Sequence, residues 1–205
     1  NGYMAQYITS NAAPRNVYSA MLQQGYKKSE IKALFQSSGT FHTRKKNELQ
    51  IAIVDEAHRL RKKSGMFQNQ GEDQIKEIIN ASIFSVFFID RNQRVTFNDA
   101  GTIDKIRNFA QEQNSLIYEG VLESQFRCNG SDGYLAWLDN VLQIAETANY
   151  DGFEGDYDFK IFDTPHEMYD AIKAKNEINN KARVLAGYCW DWPKEGRMTS
   201  LIKDI

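Results

Sequence analysis

Ile51–Ala52–Ile53–Val54–Asp55–Glu56–Ala57–His58 is an apolar run that stops on two adjacent carboxylates. Leu49–Val54 has the length and apolar character of a strand. A strand ending this way puts both carboxylates at the carboxyl edge of a parallel sheet, where ligands bind in open α/β folds. In nucleotide hydrolases an Asp at this place holds Mg²⁺, usually through water, and the neighbouring Glu orients and deprotonates the attacking water. The alternative is that Asp55 and Glu56 merely favour a helix N-terminus through its dipole. The apolar strand in front of them weighs toward the nucleotide reading.

Working outward, the chain alternates strand and helix patterns. Tyr3–Thr9 is β-rich, and Ser10–Arg15 reads as a turn into a helix with Pro14 in its first turn. A short helix over Ser29–Phe35 and a polar loop with Arg44, Lys45 and Lys46 precede Leu49. After the polar segment Arg59–Gly71, Ile75, Ile78 and Ile79 recur at helical spacing. Ile83–Ile89 is then apolar on both faces, the mark of a buried, mostly parallel strand. Ile103, Ile106 and Phe109 predict another helix, and Leu116–Tyr118 another strand. This alternation predicts an α/β layer architecture. A boundary is expected near Gly120–Arg127, separating a first domain over residues 1–120 from a second unit over 121–205. In the second unit, helices are predicted from Gly133 and after Asp163–Thr164–Pro165, with strands at Tyr157–Phe162 and Ala182–Tyr188.

Composition limits the function classes. The 205 residues are 41% hydrophobic and 25% charged, an ordinary globular balance. With 25 Lys+Arg against 27 Asp+Glu the net charge is −2, so no global basic field advertises nucleic acid or an anionic membrane, and any such site must be local. No apolar run approaches the ~18–20 residues needed to span a bilayer, and Asn1–Gly2–Tyr3 has no signal-peptide form. Cys128 and Cys189 are far apart and lack zinc-ligand spacing, which points to a reducing, cytoplasmic compartment.

Two further clusters carry chemistry. Ile83–Ile89 ends in Asp90–Arg91–Asn92–Gln93, where Asp90 and Gln93 suit sensing of a γ-phosphate; a turn rich in Asp and Asn is the competing reading. Gln125–Phe126–Arg127 stands at the expected domain boundary. A guanidinium there suits neutralising transition-state charge on a phosphoryl group, although a lone Arg is more often an ion-pair residue. Arg59, Arg61, Lys62 and Lys63 with Arg44–Lys46 suit a phosphate-backbone path or, more simply, a solvated face.

Together these segments resemble superfamily 1 helicases. Asp55–His58 (DEAH) looks like their motif II, Asp90–Gln93 like motif III, Gln125–Arg127 like motif IV, and Ser10–Arg15 like motif Ia. The phrases EAHRLRKKS, QFRCNGSDGYLAWLDNVL and GYCWDW resemble, more narrowly, bacterial Schlafen-type DNA/RNA helicase domains. The resemblance implies a RecA-like parallel sheet followed by the start of a second RecA-like α/β unit, with ATP and Mg²⁺ as cofactors. It implies that Asp55 and Asp90 serve nucleotide binding, with Mg²⁺ on Asp55. It makes Glu56 the catalytic base, Gln93 a γ-phosphate contact and Arg127 an arginine finger. Asn11 and Arg15 would face single-stranded DNA or RNA. The chain departs from the pattern in having Ile89 where motif III usually has Gly, and it contains no G-x-x-x-x-G-K-[ST] phosphate loop. Such a loop would lie upstream of Asn1, and motifs V and VI are absent as well. The expectation is therefore the middle of an ATP-dependent helicase or translocase, inactive by itself, with a nucleotide-dependent switch or a decayed scaffold as rivals.

Overall fold

The computed structural model describes residues 4–65, 67–94, 96–122, 132–149, 151–153 and 158–185. The chain divides into two compact units, Asn1–Leu122 and Glu123–Ile205.

In the first unit four strands form one parallel sheet in the order β2-β1-β3-β4. The strands are β1 (Ala5–Ile8), β2 (Phe35–Gln36), β3 (Leu49–Val54) and β4 (Ser82–Phe87). Between β1 and β2 run α1 (Ala12–Leu22) and α2 (Lys28–Leu34); α3 (Gln74–Ala81) leads into β4, and α4 (Ile103–Glu112) follows it. The fold class is α/β, as the alternating pattern predicts.

Each helix begins where its local chemistry supplies an acceptor for an otherwise free amide. Asn11 Oδ1 accepts the Ala13 N–H at 3.0 Å, Asp73 Oδ1 the Ile75 N–H at 3.0 Å, and Thr102 Oγ1 the Lys105 N–H at 3.2 Å. Helix α2 starts at Lys28, one residue before the Ser29 expected to open it. There Glu30 reaches back to accept the Lys27 N–H at 2.9 Å. On α3, Ile75, Ile78 and Ile79 share the buried face and meet Ile8, Leu49, Ala52 and Val54 in one core. Truncating a fully buried residue such as Ile78 to Ala would cost about 2–5 kcal/mol.

Three strand expectations in the described residues fail. Residues 116–118 form no strand, and Leu116 and Tyr118 are each 87% exposed. In the second unit residues 158–162 form no strand, Phe159 packing instead on Trp137 with ring centroids 4.9 Å apart. Residues 182–185 form none either, and 186–188 lie outside the described residues. A strand exists only where a neighbour completes its ladder, and β-prone composition cannot supply that neighbour. The described part of this unit holds two helices, α5 (Asp132–Val141) and α6 (Pro165–Asn179), the latter capped by Thr164 Oγ1 on the Glu167 N–H at 3.2 Å.

Strand β4 corrects another expectation. It is parallel, but it is the last strand of the sheet among the described residues, and it ends at Phe87 rather than Ile89. Ile83 and Phe84 are 67% and 57% exposed, so its two-sided apolar character is not buried here. No helix among the described residues is long and apolar enough to cross a membrane.

Candidate functional site

The site begins where β3 and β4 end side by side. Val54 pairs with Phe87, and the ladder runs on past both strands: Phe88 N–H donates to Val54 O at 2.9 Å and Ala57 N–H to Phe88 O at 2.8 Å. On the other flank Asp55 N–H donates to Ile8 O at 2.9 Å. The backbone on either side of the two carboxylates is therefore pinned to both neighbouring strands.

Glu56 takes the left-handed conformation, φ 53° and ψ 46°, and opens the 3₁₀ turn Ala57–Arg59. A non-glycine residue held there costs of order 1–3 kcal/mol, and such strain concentrates at functional sites. The surrounding contacts hold it in place. Asp55 Oδ1 accepts the Glu56 N–H at 3.0 Å, and Glu56 Oε2 lies 3.1 Å from His58 Nε2. The Glu56 side chain is 41% exposed whereas His58 is 2% exposed, so the carboxylate stays open to solvent while its anchor is buried.

His58 joins this carboxylate to the second cluster. The Asp90 N–H points at His58 Nδ1 at 3.4 Å, while the other ring nitrogen, Nε2, faces Glu56. Asp90 in turn accepts the Asn92 N–H through Oδ1 at 2.8 Å and the Gln93 amide through Oδ2 at 2.9 Å. Glu56, His58, Asp90 and Gln93 thus form one connected chain of contacts. Gln93 itself is exposed.

Two residues that sequence reading passed over complete this edge. The Tyr7 hydroxyl donates to Asp55 Oδ2. Burial first, then that hydrogen bond, push the Tyr7 phenol well above its ordinary range, so it stays a donor. Gly101 lies against the Ala57–His58 backbone, and the neighbouring Ala100 N–H donates to Leu60 O at 2.7 Å. No local motif marks either residue, because each meets the site only through tertiary pairing.

Asn11 and Arg15 face different hollows. Asn11, with Ser10, Ala12, Arg59, Arg61 and Asp99, lines a polar cavity of about 190 Å³. Ser10 reaches toward Arg59 O at 3.4 Å, which ties the loop before α1 to the turn after the carboxylates. Arg15 lines a groove of about 430 Å³ between α1 and α2, together with Lys28 and Lys32, and its Nε is buried without a hydrogen-bond partner. Arg127, Cys128, Cys189 and the GYCWDW phrase lie outside the described residues.

Among the described residues no three His, Cys, Asp or Glu side chains cluster as a metal site. Mg²⁺ takes hard oxygen ligands and is usually held by one or two carboxylates together with waters and substrate phosphates, and the Asp55 carboxylate just past β3 is a hard oxygen donor of that kind. Asp55 would be the protein's ligand.

A family model described as Schlafen group 3, DNA/RNA helicase domain, matches residues 1–205. The uncharacterized protein YPL245W of Saccharomyces cerevisiae is 25% identical over 168 residues, which cover 72% of this chain and 37% of the yeast protein. The chain thus corresponds to little more than a third of that relative. No solved structure matches.

Proposed function

The chain belongs to the Schlafen group 3 DNA/RNA helicase domain family, and from that membership we propose that it forms the hydrolytic edge of an ATP-dependent DNA or RNA helicase or translocase. The observation that carries this reading is Glu56, strained, solvent-accessible and anchored between Asp55 and His58 just beyond two adjacent parallel strands. In this reading the sheet is RecA-like and the second unit opens a second RecA-like domain.

Asp55 would hold Mg²⁺, which when bound would supply neutralisation of the negative charge on the nucleotide phosphates. Glu56 accepts the proton of the attacking water, and its contact with His58 holds the carboxylate in one place while it stays solvent-accessible. Asp90 orients Gln93, whose amide reports the γ-phosphate through His58 back to Glu56. Arg127 supplies the arginine finger. The polar cavity with Ser10, Asn11, Arg59 and Arg61, and the groove with Arg15, Lys28 and Lys32, receive phosphates of single-stranded DNA or RNA. Among the described residues β4 ends the sheet, and its free edge suits a further strand.

The test is ATP hydrolysis by the full-length protein with and without single-stranded DNA or RNA. Stimulation that Glu56→Gln abolishes supports the motor. Nucleotide binding without turnover in the wild type would leave the nucleotide-dependent switch.

A further inference from the structure

Both oxygens of Asp55 are engaged, and by donors of different origin. Oδ1 accepts the Glu56 backbone N–H at 3.0 Å, a bond local to the strand end. Oδ2 accepts the Tyr7 hydroxyl, which arrives from 48 residues away on β1. The pairing register explains the approach: Tyr7 is opposite Ile53 in the parallel β1·β3 ladder, so Tyr7, Ile53 and Asp55 share one face of the sheet. The ring that delivers the hydroxyl is itself held. It meets Tyr18 of α1 edge-on at 6.0 Å and Phe35 of β2 edge-on at 5.7 Å, and Tyr18 and Phe35 stack on each other at 6.1 Å.

We propose that Tyr7 is a positioning residue that fixes the rotamer of Asp55 and so sets how tightly the site takes a divalent cation with its nucleotide. The inference rests on the nucleotide-hydrolase reading above. A carboxylate oxygen has two lone pairs, so one donor on each leaves one free on each oxygen. With both donors present the carboxylate cannot swing, and its free lone pairs keep one direction. Without the phenol, Asp55 retains only the Glu56 N–H and can turn about its side-chain torsions. Groups that orient a metal-binding residue in this way are worth about 10–100-fold in metal affinity or activity.

The experiment uses the full-length protein and Tyr7→Phe, which keeps the ring and its packing on Tyr18 and Phe35 and removes only the hydroxyl. In a Glu56→Gln background, Mn²⁺ binding in the presence of ATP is followed by electron paramagnetic resonance. Tyr7→Phe should weaken Mn²⁺ about tenfold and leave metal-free ATP affinity unchanged. In an otherwise wild-type background it should raise the Mg²⁺ concentration for half-maximal turnover by about the same factor, with kcat at saturating Mg²⁺ reduced far less. Tyr18→Phe, which keeps the aromatic stack and touches no carboxylate, should leave both measurements unmoved. Unchanged Mn²⁺ affinity and Mg²⁺ dependence in Tyr7→Phe would overturn the proposal while the nucleotide reading stands. Failure of Tyr7→Phe to fold would overturn it as well, by assigning the hydroxyl to the fold instead of to Asp55. Absence of Mn²⁺–ATP binding in the protein with Tyr7 intact would defeat the nucleotide reading, and the positioning role with it.

Discussion

Gly101 sits directly against Ala57: a Cβ on Gly101 would overlap the Ala57 carbonyl oxygen and approach the Ala57 carbonyl carbon and His58 Cα at 2.7 Å each. The obstacle is backbone, held in the turn that follows the two carboxylates, so it cannot rotate away as a side chain would. Gly101→Ala should therefore push on the Ala57–His58 turn and lower stability by about 1–3 kcal/mol, the usual range for overpacking. Chemical denaturation of the purified protein measures it, and a change within about 0.5 kcal/mol would mean the loop carrying Gly101 shifts freely.

His58 is 2% exposed and contacts both Glu56 and the Asp90 amide. His58→Ala leaves a hole in the buried interior and a part-buried amide without its acceptor, and should destabilise the protein by about 1–3 kcal/mol. It should also lower ATP turnover in the full-length protein, since Glu56 loses its anchor. His58→Gln, which can both donate and accept, should recover part of each loss. Turnover equal to the wild type in His58→Ala would remove His58 from the link between the two carboxylate clusters.

Glu77 gives a pH signature. Its pKa is raised above the usual 4.5, chiefly by burial, against a backbone hydrogen bond from Glu72 that lowers it. One oxygen accepts the Glu72 N–H at 2.7 Å and the other is buried without a partner. An acid whose folded pKa is raised binds its proton more tightly in the folded state. Stability is therefore lost as pH climbs from the unfolded value through the folded one. Glu77→Gln removes that loss while keeping the acceptor for Glu72. The variant should match the wild type below about pH 4 and gain on it as pH rises; melting temperatures of the two that run parallel across this range would refute it.

Arg59 and Arg61 share a polar cavity with Ser10 and Asn11. If phosphates of a polynucleotide sit there, the Arg59→Ala, Arg61→Ala double variant should weaken binding to single strands of any sequence. It should also flatten the dependence of log K on log salt by roughly one to two units, about one for each phosphate no longer neutralised. Fluorescence anisotropy over a salt series reads both. An unchanged slope would return the two arginines to an ordinary solvated surface.

Glu56→Gln and Arg127→Ala should both stop ATP turnover in the full-length protein but leave different states behind. Glu56→Gln keeps size and hydrogen-bonding reach while removing the base, so nucleotide should still bind and the ATP-bound form accumulate. Arg127→Ala should cost on the order of 10³–10⁵ in rate, as arginine fingers do, with modestly weaker binding. Stopped-flow binding of a fluorescent ATP analogue together with single-turnover hydrolysis separates them. A wild-type rate in Arg127→Ala would make Arg127 an interface residue.

Much of the first unit could be read along the chain because its signals are local. Alternation of apolar strands with 3.6-periodic helices marked an α/β protein, and Asn11, Asp73 and Thr102 cap its helices through atoms a few residues away, as Thr164 does in the second unit. The Asp55–Glu56 pair at the end of β3 was legible for the same reason: a strand end and its next residues are neighbours in sequence.

The tertiary structure alone decided what depends on partners distant in sequence. The register of β1 on β3 brought Tyr7 to Asp55, the parallel placement of β4 beside β3 brought Asp90 to His58, and the return of the chain after β4 laid Gly101 on Ala57. The same principle kept residues 116–118, 158–162 and 182–185 from becoming strands despite their composition, and set β4 at the edge of the described sheet with Ile83 and Phe84 exposed. A helix completes its hydrogen bonds within itself, whereas a strand needs a neighbour's, so local pattern determines the one and only the assembled sheet determines the other.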